Sequence, residues 1–200
     1  MLRLAVFASG FGSNLEAVYQ TIVNGSLQGV TLALVISNNS RSGALLFAEK
    51  VNIQGVHLSL LKCENDIQLF EKRMLEILHD FKIDIIALAG YMKKLPDGVL
   101  YEYRGRIVNV HPALLPDFGG VGMYGLNVHQ AVIDAGKNIS GATFHLVEGE
   151  YDSGKIIVQE SCPVFIEDTP ETLAKRVREI EHRILPKGIQ IIADKITSNS

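Results

Sequence analysis

The 200-residue chain is predicted to be an α/β protein built on a doubly wound, mainly parallel sheet, with an antiparallel strand pair in its C-terminal half. Two observations carry the prediction. In the first hundred residues, short runs apolar on both faces alternate with segments of helical spacing, the pattern of βαβ units. Near the other end, the strand-like runs 142–147 and 155–161 are joined by only about seven residues. A parallel crossover needs about a dozen, so these two runs should pair antiparallel.

In chain order, Leu2 to Ala8 is an apolar run ending at Ser9-Gly10, and Leu15, Val18 and Ile22 give a helix stopped by Asn24-Gly25. Val30 to Ser37 is the second strand, followed by a helix marked by Ala44, Leu45, Ala48 and Val51. A short strand around Val56 to Leu58 precedes a long amphipathic helix with its stripe at Ile67, Phe70, Met74, Ile77, Leu78 and Phe81. Ile83 to Ala89 and Ile107 to His111 are the next strands, and Leu126 to Ala135 is helical. The last helix opens at Asp168-Thr169-Pro170-Glu171, a polar cap with an early proline, and its stripe (Leu173, Val177, Ile180, Ile184) runs to Pro186. With no linker or repeat, one domain over residues 1–200 is expected, its phosphate-binding half about 1–100 and its catalytic half about 101–200.

With 47% of residues hydrophobic, the chain can bury an ordinary core, and a net charge of −3 without a basic run gives no footprint for nucleic acid. Cys63 and Cys162 have no metal-ligand spacing and read as free thiols. Nothing approaches the roughly 18 apolar residues of a membrane span, and the N-terminus lacks the layout of a signal peptide. The expectation is a cytoplasmic protein acting on small molecules, with no nucleic-acid or membrane partner and no metal.

Ser9-Gly10-Phe11-Gly12-Ser13-Asn14 joins the first strand to the first helix. Glycine there permits a tight turn and close ligand approach, and free helix N–H groups face an anion, so Gly12, Ser13 and Asn14 form a candidate phosphate site. A dinucleotide fits less well: Leu15 takes the place of the third glycine of G-x-G-x-x-G, and the second strand ends in Ser37-Asn38-Asn39 without an acidic residue. A tight turn with a polar cap, binding nothing, remains the plain alternative.

Asn109 and His111 alternate onto one side of a strand that Pro112 ends. They therefore sit at its C-terminal end, where open parallel sheets bind ligands, and both can donate to a developing oxyanion. Asp152, in the glycine-flanked loop Glu148 to Gly154, is the candidate carboxylate that favours a charged imidazole. Gly149 and Gly154 predict a loop that shifts as a unit and brings Asp152 to His111 when a ligand binds. Taken alone, a strand-end histidine and a turn aspartate are also ordinary structural residues.

These motifs, with Leu88-Ala89-Gly90-Tyr91-Met92 and Asn109-x-His111-Pro112-x-Leu114-Leu115-Pro116, occur in the order of a known family. From about residue 2 to about residue 192 the chain resembles the phosphoribosylglycinamide formyltransferases (glycinamide ribonucleotide transformylases), which are folate-dependent formyltransferases with a Rossmann-like fold. The resemblance implies formyl transfer from 10-formyltetrahydrofolate to the amine of the ribonucleotide, in de novo purine biosynthesis. It implies catalysis by Asn109, His111 and Asp152, and ribonucleotide binding by Gly12, Ser13, Asn14 and Glu181. Folate would lie along Met92, Lys93, Lys94 and Leu95, against Asn109 and the loop Glu148, Gly149, Glu150, Tyr151 and Asp152. His129 falls on a family histidine near the folate side. Family members occur as monomers and homodimers.

Three features depart from the family pattern. The segment Phe118 to Gly125 is longer and richer in glycine, Lys93-Lys94 stand where an arginine and an apolar residue are usual, and Ile67 replaces a folate-contacting arginine. Two rival readings share part of the pattern. A 10-formyltetrahydrofolate hydrolase would use the same three residues with water as nucleophile, but that family carries an N-terminal regulatory domain, whereas Met1 leads straight into the first strand. A non-catalytic mononucleotide-binding module would explain Gly12 to Asn14 and leave the other set without purpose.

Overall fold

The computed structural model describes residues 1–198; the last two positions of the expected domain lie outside the described residues. Seven strands form one sheet: β1 (Leu2–Phe7), β2 (Val30–Ser37), β3 (Gly55–His57), β4 (Ile85–Leu88), β5 (Ile107–His111), β6 (Ile139–Leu146) and β7 (Ile156–Pro163), in the order β3-β2-β1-β4-β5-β6-β7. β1 to β5 run parallel. β6 pairs antiparallel with both β5 and β7. The helices are α1 (Ser13–Val23), α2 (Gly43–Lys50), α3 (Ile67–Asp80), α4 (Asp97–Glu102), α5 (Leu126–Asp134) and α6 (Pro170–Ser198).

The sheet separates two apolar clusters, as the alternation of strand side chains requires. Leu4, Val6, Val108 and Val110 join Leu15 and Val18 of α1 and the α6 stripe on one face. Ala5, Phe7, Ile86 and Ile107 join Phe70, Met74 and Leu78 of α3 and Val99 of α4 on the other. β1 lies between β2 and β4, so the chain leaves it for one side of the sheet and returns on the other, which opens a crevice at the strand ends. Ser9 ties that crevice together: its N–H donates to the Gly90 carbonyl at 3.0 Å, and its Oγ donates to Asn38 Oδ1 at 2.6 Å and accepts from Met92 N–H at 3.0 Å.

Two expectations fail. The last helix does not stop at Pro186 but continues to Ser198. An internal proline costs about 3 kcal/mol, yet Leu185, Ile189 and Ile192 are buried on the same stripe, at roughly 1.5–3 kcal/mol for each large apolar side chain. Packing therefore overrides the local preference. Gly188 lets this part of the helix lie flat on β6, because a Cβ there would overlap the Phe144 ring. The other failure is α4, six residues long and too short to show a period. Cys63 and Cys162 are free and buried, and no helix among the described residues is long and apolar enough to cross a membrane.

Candidate active site

β5 and β6 pair so that Asn109 faces His145 and His111 faces Thr143. The hydrogen-bond network spreads from these two pairs. Thr143 Oγ1 donates to Ala113 O at 2.6 Å and accepts from Leu115 N–H at 3.0 Å and from Gln159 Nε2 at 2.8 Å. The chain leaving His111 is thus pinned by hydrogen bonds as well as by its prolines. His145 Nδ1 lies 2.8 Å from the Leu146 carbonyl, which places the hydrogen on Nδ1 and leaves Nε2 to accept from Asn109 Nδ2 at 3.1 Å. Burial lowers the His145 pKa, against the Leu146 carbonyl and Asp152, which raise it. A neutral ring suits that tautomer.

Asp152 sits among these groups at a positive φ of 53°. Its Oδ1 lies 3.2 Å from His111 Nδ1 and accepts from Asn109 Nδ2 at 3.3 Å, while Oδ2 accepts from Gly120 N–H at 2.9 Å. Burial alone would raise the Asp152 pKa, but the hydrogen bond and charge of His111 and the Gly120 N–H outweigh it and hold the carboxyl below its ordinary value. His111 Nε2 lies 2.8 Å from the Phe118 carbonyl. Both neighbours of the imidazole are acceptors, a pattern that suits hydrogens on both nitrogens. The sequence leads one to expect a loop that closes only on ligand; here Asp152 is already on His111, fastened by the glycine-rich segment 118–125.

A cleft of about 740 Å³ opens over this network. At one end it meets the N-terminus of α1, with Gly12, Ser13 and Asn14 on its wall; at the other it runs along Met92 to Leu95 and Gly149 to Asp152. Gly12 caps α1 with φ 86° and no side-chain cap bond, and a Cβ there would lie 2.9 Å from Ala44 Cα. The packing of α2 therefore demands this glycine before any ligand does. Glu181 of α6 lines the same end, hydrogen-bonded to Asn14, and burial pushes its pKa up to about 7.

Residues 2–189 match the formyl transferase family model. The chain belongs to that family. It is 37% identical over 193 residues to a chloroplastic phosphoribosylglycinamide formyltransferase of Arabidopsis thaliana; the match covers 96% of this chain and 66% of that protein, so the chain spans just under two thirds of its relative. The crystal structure of glycinamide ribonucleotide transformylase 1 from Symbiobacterium toebii superposes with a TM-score of 0.90 at 31% identity, covering 98% of this chain and 89% of that one. A formyltetrahydrofolate deformylase from Pseudomonas syringae reaches a TM-score of 0.86 at 25% identity, with 97% and 62% covered.

In this formyl transferase chain the cleft gathers nearly every residue singled out from the sequence. Glu148 does not line it and is exposed. Ile67, at the start of α3, is exposed away from it. Lys93 and Lys94 are at its rim, where Lys94 Nζ pairs with Glu150 Oε1 at 3.5 Å. His129 is buried on α5 and feels Arg178 and His111 rather than the loop 92–95. Among the wall residues that sequence reasoning missed are His145 and Arg178. His145 is recognisable only once β6 is registered on β5. Arg178 shares a helical face with Ala174 and Glu181, which gains meaning only once α6 is packed beside the cleft.

Proposed function

We propose that the protein transfers the formyl group of 10-formyltetrahydrofolate to the amine of N1-(5-phospho-D-ribosyl)glycinamide, giving the N-formyl product and tetrahydrofolate, in de novo purine (IMP) biosynthesis. The observation that carries this is the Asn109, His111 and Asp152 set in a cleft whose wall also takes in the N-terminus of α1 and the stretches 92–95 and 149–152. The ribonucleotide phosphate lies at Gly12, Ser13 and Asn14 with Glu181 on the sugar, and folate lies against Met92 to Leu95 and the 148–152 loop.

In this mechanism the amine lone pair attacks the formyl carbon, whose oxygen becomes an oxyanion. His111 Nε2 and Asn109 Nδ2 donate to that oxygen; the Phe118 carbonyl now on Nε2 gives way to it, and the 3.3 Å bond from Asn109 to Asp152 is the one exchanged. The attacking nitrogen loses a proton, folate N10 gains one as its bond to carbon breaks, and Asp152 orders the water that relays it. A carboxyl held below its ordinary pKa by the His111 hydrogen bond and charge and the Gly120 N–H, against burial, suits Asp152 to pairing with the imidazole rather than to taking the proton itself.

The readings of the chain as one domain, cytoplasmic, without nucleic-acid or membrane partner, and a monomer or homodimer, belong to the same proposal; the chloroplastic relative makes compartment a separate question for each organism. The deformylase likeness favours hydrolysis as the second reading. Donor consumption with and without the ribonucleotide tests both: transfer requires the ribonucleotide, and equal consumption without it would establish hydrolysis.

A further inference from the structure

Two segments that line the cleft, 92–95 and 149–152, are joined at its rim by the ion pair of Lys94 Nζ and Glu150 Oε1, at 3.5 Å. Its side chains are 45% and 83% exposed, and the separation exceeds the roughly 2.7–2.9 Å of a tight charge-assisted bond. Neither segment depends on this contact. Met92 N–H is held by Ser9 Oγ at 3.0 Å, and Leu95 is buried. In the other segment the Glu150 carbonyl accepts from Ser153 N–H at 3.3 Å and from Ser153 Oγ at 2.8 Å, while Asp152 is fastened to His111 and Gly120. The pair is a loose contact between side chains on backbones already fixed, so it can be exchanged without moving either segment.

Charge decides what can replace Glu150. Lys93 and Lys94 bring two consecutive ammonium groups to the cleft wall, and among the described residues only Lys94 has a carboxylate partner. An ammonium on a flexible stem accepts any anion that reaches it, and a ligand carboxylate reproduces the bond that Glu150 makes. A folate carries such groups on its far end: beyond the pterin and aminobenzoyl rings its glutamate tail bears two carboxylates, and each added glutamate brings one more.

Resting on the formyl-transfer reading above, we propose that Glu150 is an internal stand-in for the tail of the formyl donor: it holds Lys94 until a tail carboxylate takes its place. Lys94 then selects donors by the charge of their tail, and Glu150 sets the threshold, because each ligand carboxylate has to displace it. Donors with several glutamates displace it best.

Calorimetric titration of the full chain with tetrahydropteroate, which stops at the aminobenzoate, with tetrahydrofolate and with its triglutamate tests this in wild type, E150Q, K94M and the double variant. Wild-type affinity should rise in that order of ligands. E150Q should bind tetrahydrofolate about threefold tighter, the scale of an exposed ion pair, and tetrahydropteroate as the wild type does. K94M should shrink the difference between tetrahydropteroate and tetrahydrofolate, and E150Q should add nothing on top of it, as coupling through one contact requires. Equal or weaker binding of tetrahydrofolate by E150Q overturns the proposal. So does a gain that persists in K94M, which would mean long-range repulsion, or one that appears equally with tetrahydropteroate, which would mean a loosened loop. A wild type that binds neither tetrahydrofolate nor tetrahydropteroate sinks the formyl-transfer reading together with this one. The expected pattern in a protein that transfers no formyl group would sink that activity alone and leave the Lys94–Glu150 exchange standing.

Discussion

From Leu4 to Phe7 in β1 and from Ile85 to Leu88 in β4 every side chain is apolar and buried, whereas β5 and β6, in the same sheet, carry Asn109, His111, Thr143 and His145. The parallel half lines the cleft with backbone features: a glycine turn, a helix N-terminus and the Ser9 tie. The antiparallel half lines it with side chains: Asn109 and His145 meet across the strand pair, and His111 is held by Asp152 and the Phe118 carbonyl from the adjoining loops. The difference teaches that this sheet gathers the polar strand side chains of the cleft, Asn109, His111 and His145, where antiparallel pairing joins β5 to β6, while β4 and the core stretch of β1 stay hydrocarbon.

The comparison can be broken or sharpened by substitution. If chemistry belongs to the antiparallel half, His111→Ala and Asp152→Asn should each lower kcat by about 10²-fold or more, with ribonucleotide affinity little changed by titration. Near-normal turnover in either variant would remove that residue from the mechanism. In the parallel half, Gly12→Val should act first on the fold: a side chain at φ 86° that meets the Ala44 backbone costs roughly 2 kcal/mol or more, a fall in Tm of about 5 °C or more. Unchanged Tm with lost ribonucleotide binding would return the glycine to a purely ligand role.

Thr143→Val keeps the shape but removes the oxygen that accepts from Leu115 N–H and Gln159, so it should cost about 1–3 kcal/mol. Turnover should fall less than tenfold, because the pin behind His111 loosens while the reacting groups remain. The smallest effect expected is at Glu181. Its folded-state pKa is raised to about 7, chiefly by burial, so its contribution favours the fold at low pH and is lost as pH rises through about 7. Glu181→Gln, a match for the neutral carboxyl, should melt like wild type at pH 5 and higher than wild type at pH 8. An identical difference at both values would contradict a buried, neutral carboxyl.

How far the sequence revealed this differs between the halves. Strands apolar on both faces are visible as runs, so β1, β2 and β4 and the glycine turn were legible. Asn109 and His111 were legible because Pro112 fixes where their strand ends. His145 and Arg178 were not, because a polar residue in a strand or on a helix acquires meaning only from what packing sets beside it. The run of α6 beyond Pro186 was hidden for the same reason: burial of Ile189 and Ile192 outweighs a local signal to stop.

The central claim, that the polar network of β5 and β6 moves a formyl group between two nitrogens, is tested most directly by following the carbon itself. With 10-formyltetrahydrofolate labelled with ¹³C in the formyl group, NMR should show the label pass to the amide of the ribonucleotide, with no free formate when the ribonucleotide is left out. Label released as formate at the same rate with or without the ribonucleotide would contradict the account.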